Sequence, residues 1–217
     1  MKIDILATGS TGNVTLVNGS CLIDCGMPFR WIVNRLQGHL PDAVFITHEH
    51  GDHSKAVKQL IRRNVDAFMT DGTRNALRLA GNIFNLHVIK ADTTFHACGL
   101  AITPIESVHD AAEPVNFILQ DDSDRVLFVT DTGAIPNVSG NFTQIFIEAN
   151  YDSWALAQSD CPYSQKERVM SNHLANHLAR DFVAKFPDAD VTFIHQSKRH
   201  NGADIFFKPH EEVLFHG

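Results

Sequence analysis

With 217 residues, 44% of them hydrophobic and 20% charged, the chain has an ordinary soluble globular composition and can bury a sizeable core. A formal net charge of −7 argues against a broadly basic nucleic-acid surface, while leaving room for a local one. No stretch offers about 18 uninterrupted apolar residues, and the opening MKIDILATGS lacks a long apolar run with a small-residue cleavage site. A cytoplasmic protein with no membrane partner is therefore expected.

Taken in chain order, short β-rich runs recur at Ile3 to Ala7, Val14 to Val17, Cys21 to Asp24, Ala43 to Thr47 and Ala67 to Thr70. They resume at Ala101 to Ile105, Val115 to Gln120, Arg125 to Thr130, Gln144 to Glu148 and Val191 to His195. Helices are fewer. One is expected over Ser54 to Arg63, capped by Ser54, with Val57, Leu60 and Ile61 on its buried face. A second covers roughly Thr73 to Ala80. The longest helical stretch, Ser164 to Phe186, opens with the capping-box pattern Ser164/Glu167, and its later half buries Leu174, Leu178, Phe182 and Val183. No repeat, low-complexity tract or linker divides the chain, so one domain spanning 1–217 is expected, with two sheets covered by helices.

Four cysteines, Cys21, Cys25, Cys98 and Cys161, form no CxxC pair. The CLIDC spacing places Cys21 and Cys25 on one face of a strand, where they read as small buried hydrophobes in a reducing compartment. Near the C-terminus Ile205, Phe206 and Phe207 read as a final core strand, or else as a contact surface of a homo-oligomer.

The densest chemistry lies in THEHGDHS, Thr47 to Ser54, directly after the apolar run AVFIT. A strand ending at Thr47 delivers its successors into a tight turn that Gly51 permits, so several side chains enter one small volume. Imidazoles and carboxylates are ligands suited to zinc, iron or manganese. His48 and His50 can serve one ion, Asp52 and His53 another, with Glu49 pointing away.

This HxHxDH motif resembles the signature of the metallo-β-lactamase superfamily, and the resemblance covers nearly the whole chain. It implies an α/β fold, an αββα sandwich of two mixed sheets, with further ligands at distant strand ends. It places His109, Asp131 and His195 as the remaining ligands, with Asp131 bridging two cations and His200 a weaker candidate past the last strand. Asp24 matches the early aspartate that buttresses the ligand loop.

Four segments resemble one branch more specifically: the opening LATGSTGN, VHDAAEPV around His109, CPYSQKERVMSNHLAN and HQSKRHN. They resemble the YycJ/WalJ-type exonucleases of the phosphodiesterase half of the superfamily, with Asn172 and Ala175 as departures. Similarity to the tRNase Z group further implies that Glu148 and His173 protonate the leaving group. With Asp52 they form the expected catalytic set. Two divalent cations (zinc or manganese, with iron also suited) would lower the pKa of a shared water to about 7. The expected function is a 5′ to 3′ DNA exonuclease. The alternative is a phosphodiesterase for a cyclic nucleotide. For substrate phosphates the candidates are Ser10, Thr11 and Asn13 with Gly12 in a polar turn, and Lys198, Arg199 and Asn201 after the last ligand. Lys55, Lys58, Arg62 and Arg63 on the first helix are further candidates to grip phosphates, and a solvated helix face explains Lys58, Arg62 and Arg63 equally well.

Overall fold

Runs in which successive apolar residues face opposite ways build two sheets, because side chains alternate across a strand. The computed structural model describes residues 1–197 and 199–201; Lys198, Ile205, Phe206 and Phe207 lie outside the described residues. Among the described residues the first sheet contains β1 (Ile3–Ala7), β2 (Val14–Val17), β3 (Cys21–Ile23), β4 (Ala43–Phe45), β5 (Asp66–Thr70) and β6 (Leu86–Ile89), in that spatial order. The second contains β7 (Phe95–Ala97), β8 (Leu100–Glu106), β9 (Val115–Gln120), β10 (Arg125–Val129), β11 (Gln144–Glu148) and β12 (Asp190–Ile194), likewise in sequence order across the sheet. Both are mixed. β1 to β3 pair antiparallel and β3 to β6 parallel, while β7 to β10 pair antiparallel and β10 to β12 parallel.

Alternation sorts the faces. Cys21, Ile23, Ala43 and Phe45 meet Phe117, Leu119, Val126 and Phe128 in one core between the sheets. Leu22, Val44 and Ala67 turn outward beneath α1 (Phe29–Arg35) and α3 (Val57–Ile61), which contribute Ile32, Val57, Leu60 and Ile61. On the far side Leu127, Val129, Ile145 and Ile147 pack against Ala179 and Phe182 of α7 (Asn176–Val183). The result is the helix–sheet–sheet–helix sandwich that the motifs imply.

Several expected elements differ in their ends. The helix read from Ser54 is two: α2 (Gly51–Ser54) and α3. Ser54 closes the first instead of capping the second, its hydroxyl donating back to the carbonyls of Glu49 and His50 at 2.8 and 3.0 Å. The Thr73 helix is α4 (Asp71–Ala76), capped by Thr70. The long C-terminal helix is also two, α6 (Tyr163–Asn172) and α7, parted where His173 adopts φ −136° and ψ 152°. The Ser164/Glu167 capping box does not form: α6 begins after Pro162 with no side-chain cap. Of the expected buried face, Leu174 and Phe182 are buried, and Leu178 and Val183 pack against it partly. Cys21 and Cys25 do not share a face, because Asp24 turns at φ +59° and sends Cys25 into the outer core. All four cysteines are free. α1, α5 (Ser153–Gln158), β6 and β7 were not among the expected elements, although α5 is capped by Asp152. Among the described residues no helix is long and apolar enough to cross a membrane.

Phe117 is fully buried between the sheets, its ring 6.2 Å from that of Phe45. Phe117→Ala is expected to lower stability by about 3–5 kcal/mol, measured as a shift in the urea midpoint at unchanged slope.

Candidate active site

Strand ends supply most of the site. β3 runs into Asp24, β4 into Thr47 and His48, β10 into Asp131 and β12 into His195, while Glu148 is the last residue of β11. Asp24, Asp131 and His195 have φ of +59°, +23° and +51°. Left-handed backbone at a non-glycine residue costs roughly 1–3 kcal/mol and persists only where surroundings hold it. Here it turns each side chain off its strand into a common space.

Asp24 is buried and organises the HxHxDH loop. It accepts from the Thr47 amide at 2.9 Å, from the Thr47 hydroxyl at 2.8 Å, and from His53 Nδ1 at 2.7 Å. Because that hydroxyl's one proton goes to Asp24, its oxygen accepts from His48 Nδ1 at 3.0 Å, which leaves His48 Nε2 as the free lone pair. The sequence reading gave the tight turn to Gly51, but Gly51 has open space around it and no positive φ. The glycine this loop requires is Gly26, where a Cβ would lie 1.6 Å from the Asp52 carbonyl oxygen.

The expected ligand atoms fall into two neighbouring groups. His48, His50 and His109 form one, and Asp52, His53 and His195 another; within each, all three ligand atoms lie within 4.8 Å of one another. Asp131 stands between them with its oxygens divided. Oδ2 faces His109 and His48 at 3.6 and 4.0 Å, and Oδ1 faces His53 and His195 at 3.3 Å each. His109 donates from Nδ1 to the Asn172 carbonyl at 3.0 Å, turning Nε2 to within 3.2 Å of His50 Nδ1. Two nitrogens on one tetrahedral zinc lie about 3.3 Å apart.

Two observations test whether cations suit this space. The Nε2 atoms of His48 and His195 are buried with no hydrogen-bond partner, a state that ordinarily costs about 1–3 kcal/mol per group. Burial also holds His48 well below the ordinary histidine range, and His109 is lowered by the same cause, so both offer neutral lone pairs. The donors fit a pair of divalent cations, which the fold class implies.

Glu148, fully buried, adjoins this centre. Its Oε1 accepts from His173 Nδ1 at 2.6 Å and from His195 Nδ1 at 2.9 Å, and its Oε2 from the amides of Thr132 and Leu174 at 2.9 and 3.1 Å. Burial works against a charged imidazole at His173, but the Glu148 carboxylate overrides it and holds His173 above the ordinary range. Burial likewise pushes Glu148 up, yet His173 and then His195 keep it below the usual carboxylate range.

The remaining candidates separate. Ser10 and Thr11 are exposed on a turn whose preceding residue, Gly9, approaches the Gln196 carbonyl. Asn13 is buried and faces inward, with Nδ2 2.9 Å from His53 Nε2 and Oδ1 accepting from the Gly9 amide. Asn201 donates to the Asn150 carbonyl at 2.8 Å, and Arg199 is exposed. His200 is buried, with Nε2 3.9 Å from Cys161 Sγ, and belongs to neither ligand group. Arg63 lies over the Phe29 ring, while Lys55, Lys58 and Arg62 are exposed. Two further features of the site were not expected from the sequence: Gly133, where a Cβ would lie 1.9 Å from the Ser171 carbonyl, and the Arg168–Asp110 pair at 2.8 Å. Neither carries a local pattern that marks it.

A histidine- and aspartate-lined centre at the strand ends of an αββα sandwich defines a hydrolase of the metallo-β-lactamase class. The chain belongs to the β-lactamase superfamily, whose family model, described as "Beta-lactamase superfamily domain", matches residues 20–196. It is 27% identical over 205 residues to exodeoxyribonuclease YycJ of Bacillus anthracis, covering 82% of this chain and 75% of the relative. To exodeoxyribonuclease WalJ of Streptococcus pneumoniae it is 29% identical over 196 residues, covering 81% and 72%. The metallo-β-lactamase fold protein YhfI from Bacillus subtilis shares the fold, with a TM-score of 0.68 at 15% identity over 90% of this chain and 85% of that one. These matches bear out the branch read from the motifs.

Asp24→Ala would leave the Thr47 amide and His53 Nδ1 buried without an acceptor. A loss of about 3–5 kcal/mol is expected in urea unfolding of the metal-free protein.

Proposed function

We propose that this chain is a metal-dependent phosphodiesterase that removes nucleotides from DNA in the 5′ to 3′ direction. The observation that carries the reading is the divided carboxylate of Asp131 between two ligand groups, with the His173–Glu148 pair beside one of them. The exodeoxyribonucleases YycJ and WalJ support DNA as the substrate class.

His48, His50 and His109 would hold one divalent cation and Asp52, His53 and His195 the other, with Asp131 shared. Zinc, manganese or iron there would supply Lewis acidity at the phosphoryl oxygens and a nucleophile at neutral pH. The chain's own groups fix the frame. Asp24 accepts a hydrogen bond from Nδ1–H of His53 and Glu148 accepts one from Nδ1–H of His195, so each imidazole turns Nε2 inward. His173, protonated and held by Glu148, gives its proton to the departing oxygen. Ser10, Thr11 and Arg199 are exposed and thus accessible to flanking phosphates, and Lys198 is assigned to the same role from sequence alone.

Release of labelled nucleotides from linear duplex DNA carrying a 5′ phosphate, in manganese, is expected for wild type and lost in Asp52→Ala. No release from protein containing two metals per chain would overturn the exonuclease reading and favour a cyclic nucleotide as substrate.

A general acid works while protonated, so a raised His173 pKa extends activity towards alkaline pH. Glu148→Gln removes the charge that raises it. The alkaline limb of the pH–rate profile is expected to move to lower pH, and kcat to fall by about 100-fold. An unmoved limb would remove His173 from the proton-donor role.

A further inference from the structure

Glu49, between two expected ligands, reads from sequence as pointing away. It belongs to neither ligand group, and its side chain is half-buried and bonded. Its Oε1 accepts from the Ala112 amide at 2.8 Å, across 63 positions of sequence, while its Oε2 is buried with no partner. Ala112 lies on the connection between β8 and β9 that carries His109.

That connection is anchored on its other sides: Ser107 Oγ donates to the Asp131 carbonyl at 2.8 Å, the Gly133 amide donates to the Val108 carbonyl at 2.7 Å, and Arg168 pairs with Asp110 at 2.8 Å. β8 and β9 are paired only as far as Glu106 and Val115, so residues 107–114 project beyond the sheet. Thr70 Oγ1 donates to the Glu113 carbonyl at 2.7 Å, and Glu113 Oε2 accepts from the Gly72 amide at 2.6 Å, anchoring the far side to α4. Glu49 supplies the tie towards the HxH segment itself, three residues from His109.

The two ligand groups are also backed differently. Behind His53 and His195 stand the carboxylates Asp24 and Glu148. Behind His48 and His109 stand a neutral hydroxyl and a carbonyl. A carboxylate behind a histidine raises its basicity and fixes its orientation. The group of His48, His50 and His109 lacks that support and depends more on how well its two loops are held in register.

We propose that Glu49 is a positioning residue: by holding Ala112 it fixes the loop that brings His109 to His48 and His50, and so sets the affinity of that one cation position. This rests on the two-cation reading above.

The test titrates metal-stripped full-length protein with cobalt(II), followed by calorimetry and by visible absorbance. Wild type is expected to take up two equivalents in two steps. Glu49→Ala is expected to weaken the second step about tenfold while leaving the first in place. Glu49→Gln keeps an oxygen that can accept from Ala112 and is expected to bind as wild type. Glu49→Asp keeps the charge but shortens the reach, and is expected to weaken as alanine does. Two wild-type steps in Glu49→Ala, or a glutamine variant as weak as alanine, would overturn the proposal while the two-cation reading stands. Wild type that takes up no cobalt would overturn both.

Discussion

One carboxylate oxygen holds the expected chemistry of this centre together. Oε1 of Glu148 accepts from both His173 and His195, while Oε2 accepts from two backbone amides, so all four bonds converge on one buried side chain. A lone buried carboxylate would neutralise itself by taking up a proton. Here two imidazoles stabilise the anion, and the anion in turn sets the inward-facing nitrogen of one ring and the proton of the other. Asp24 plays the single-histidine version of this part at His53. His48, His53, His109 and His195 thus have Nδ1 bound outward and Nε2 turned into the shared space, where His50 presents its Nδ1 to His109.

The same requirement explains backbone that would otherwise count as poor design. Asp24, Asp131 and His195 sit in left-handed conformations at strand ends, where a non-glycine residue is strained. Each is then over-determined by hydrogen bonds or burial: Asp24 by Thr47 and His53, Asp131 by the Thr130 hydroxyl and the histidines, His195 by Glu148 and Asn150. Glycines appear where backbone must touch backbone. Gly26 lets the β3 exit lie on the ligand loop, and Gly133 lets the β10 exit lie against the end of α6. The rigid apolar sandwich behind these turns holds that strain in place.

Most strands were legible because each buries alternate residues in two different cores: Cys21 and Ile23 against Leu22, Phe128 against Leu127. β6 and β7 were not, since both are edge strands, with Val88 and His96 exposed and no fully buried residue in β7, leaving little periodicity to read. The ligand groups were legible because HxHxDH is local and the distant members sit at recognisable strand ends. What sequence could not give was the tertiary use of polar residues. Asn13 reads as a loop residue open to substrate, yet it is buried against His53 and the Asp52 carbonyl. Helical periodicity runs unbroken from Ser164 to Phe186, yet the chain leaves the helix at His173.

That break shows how local propensity yields to the site. α6 fully buries none of its ten residues; Val169 packs partly against Tyr151, Leu156 and Ala175, so its apolar face is narrow and gives limited stabilisation. Its fixed points lie towards its C-terminal end: Arg168 on Asp110, Ser171 against Gly133, the Asn172 carbonyl on His109, and His173 on Glu148. Continuing as helix would carry His173 away from Glu148 and forfeit a charge-assisted bond between a buried carboxylate and its partner. An extended residue at that point costs the helix one turn's continuity, and α7 restarts at Asn176 to cover the second sheet. The helix thus ends where the proposed proton donor meets Glu148, and its last carbonyl orients His109 alongside.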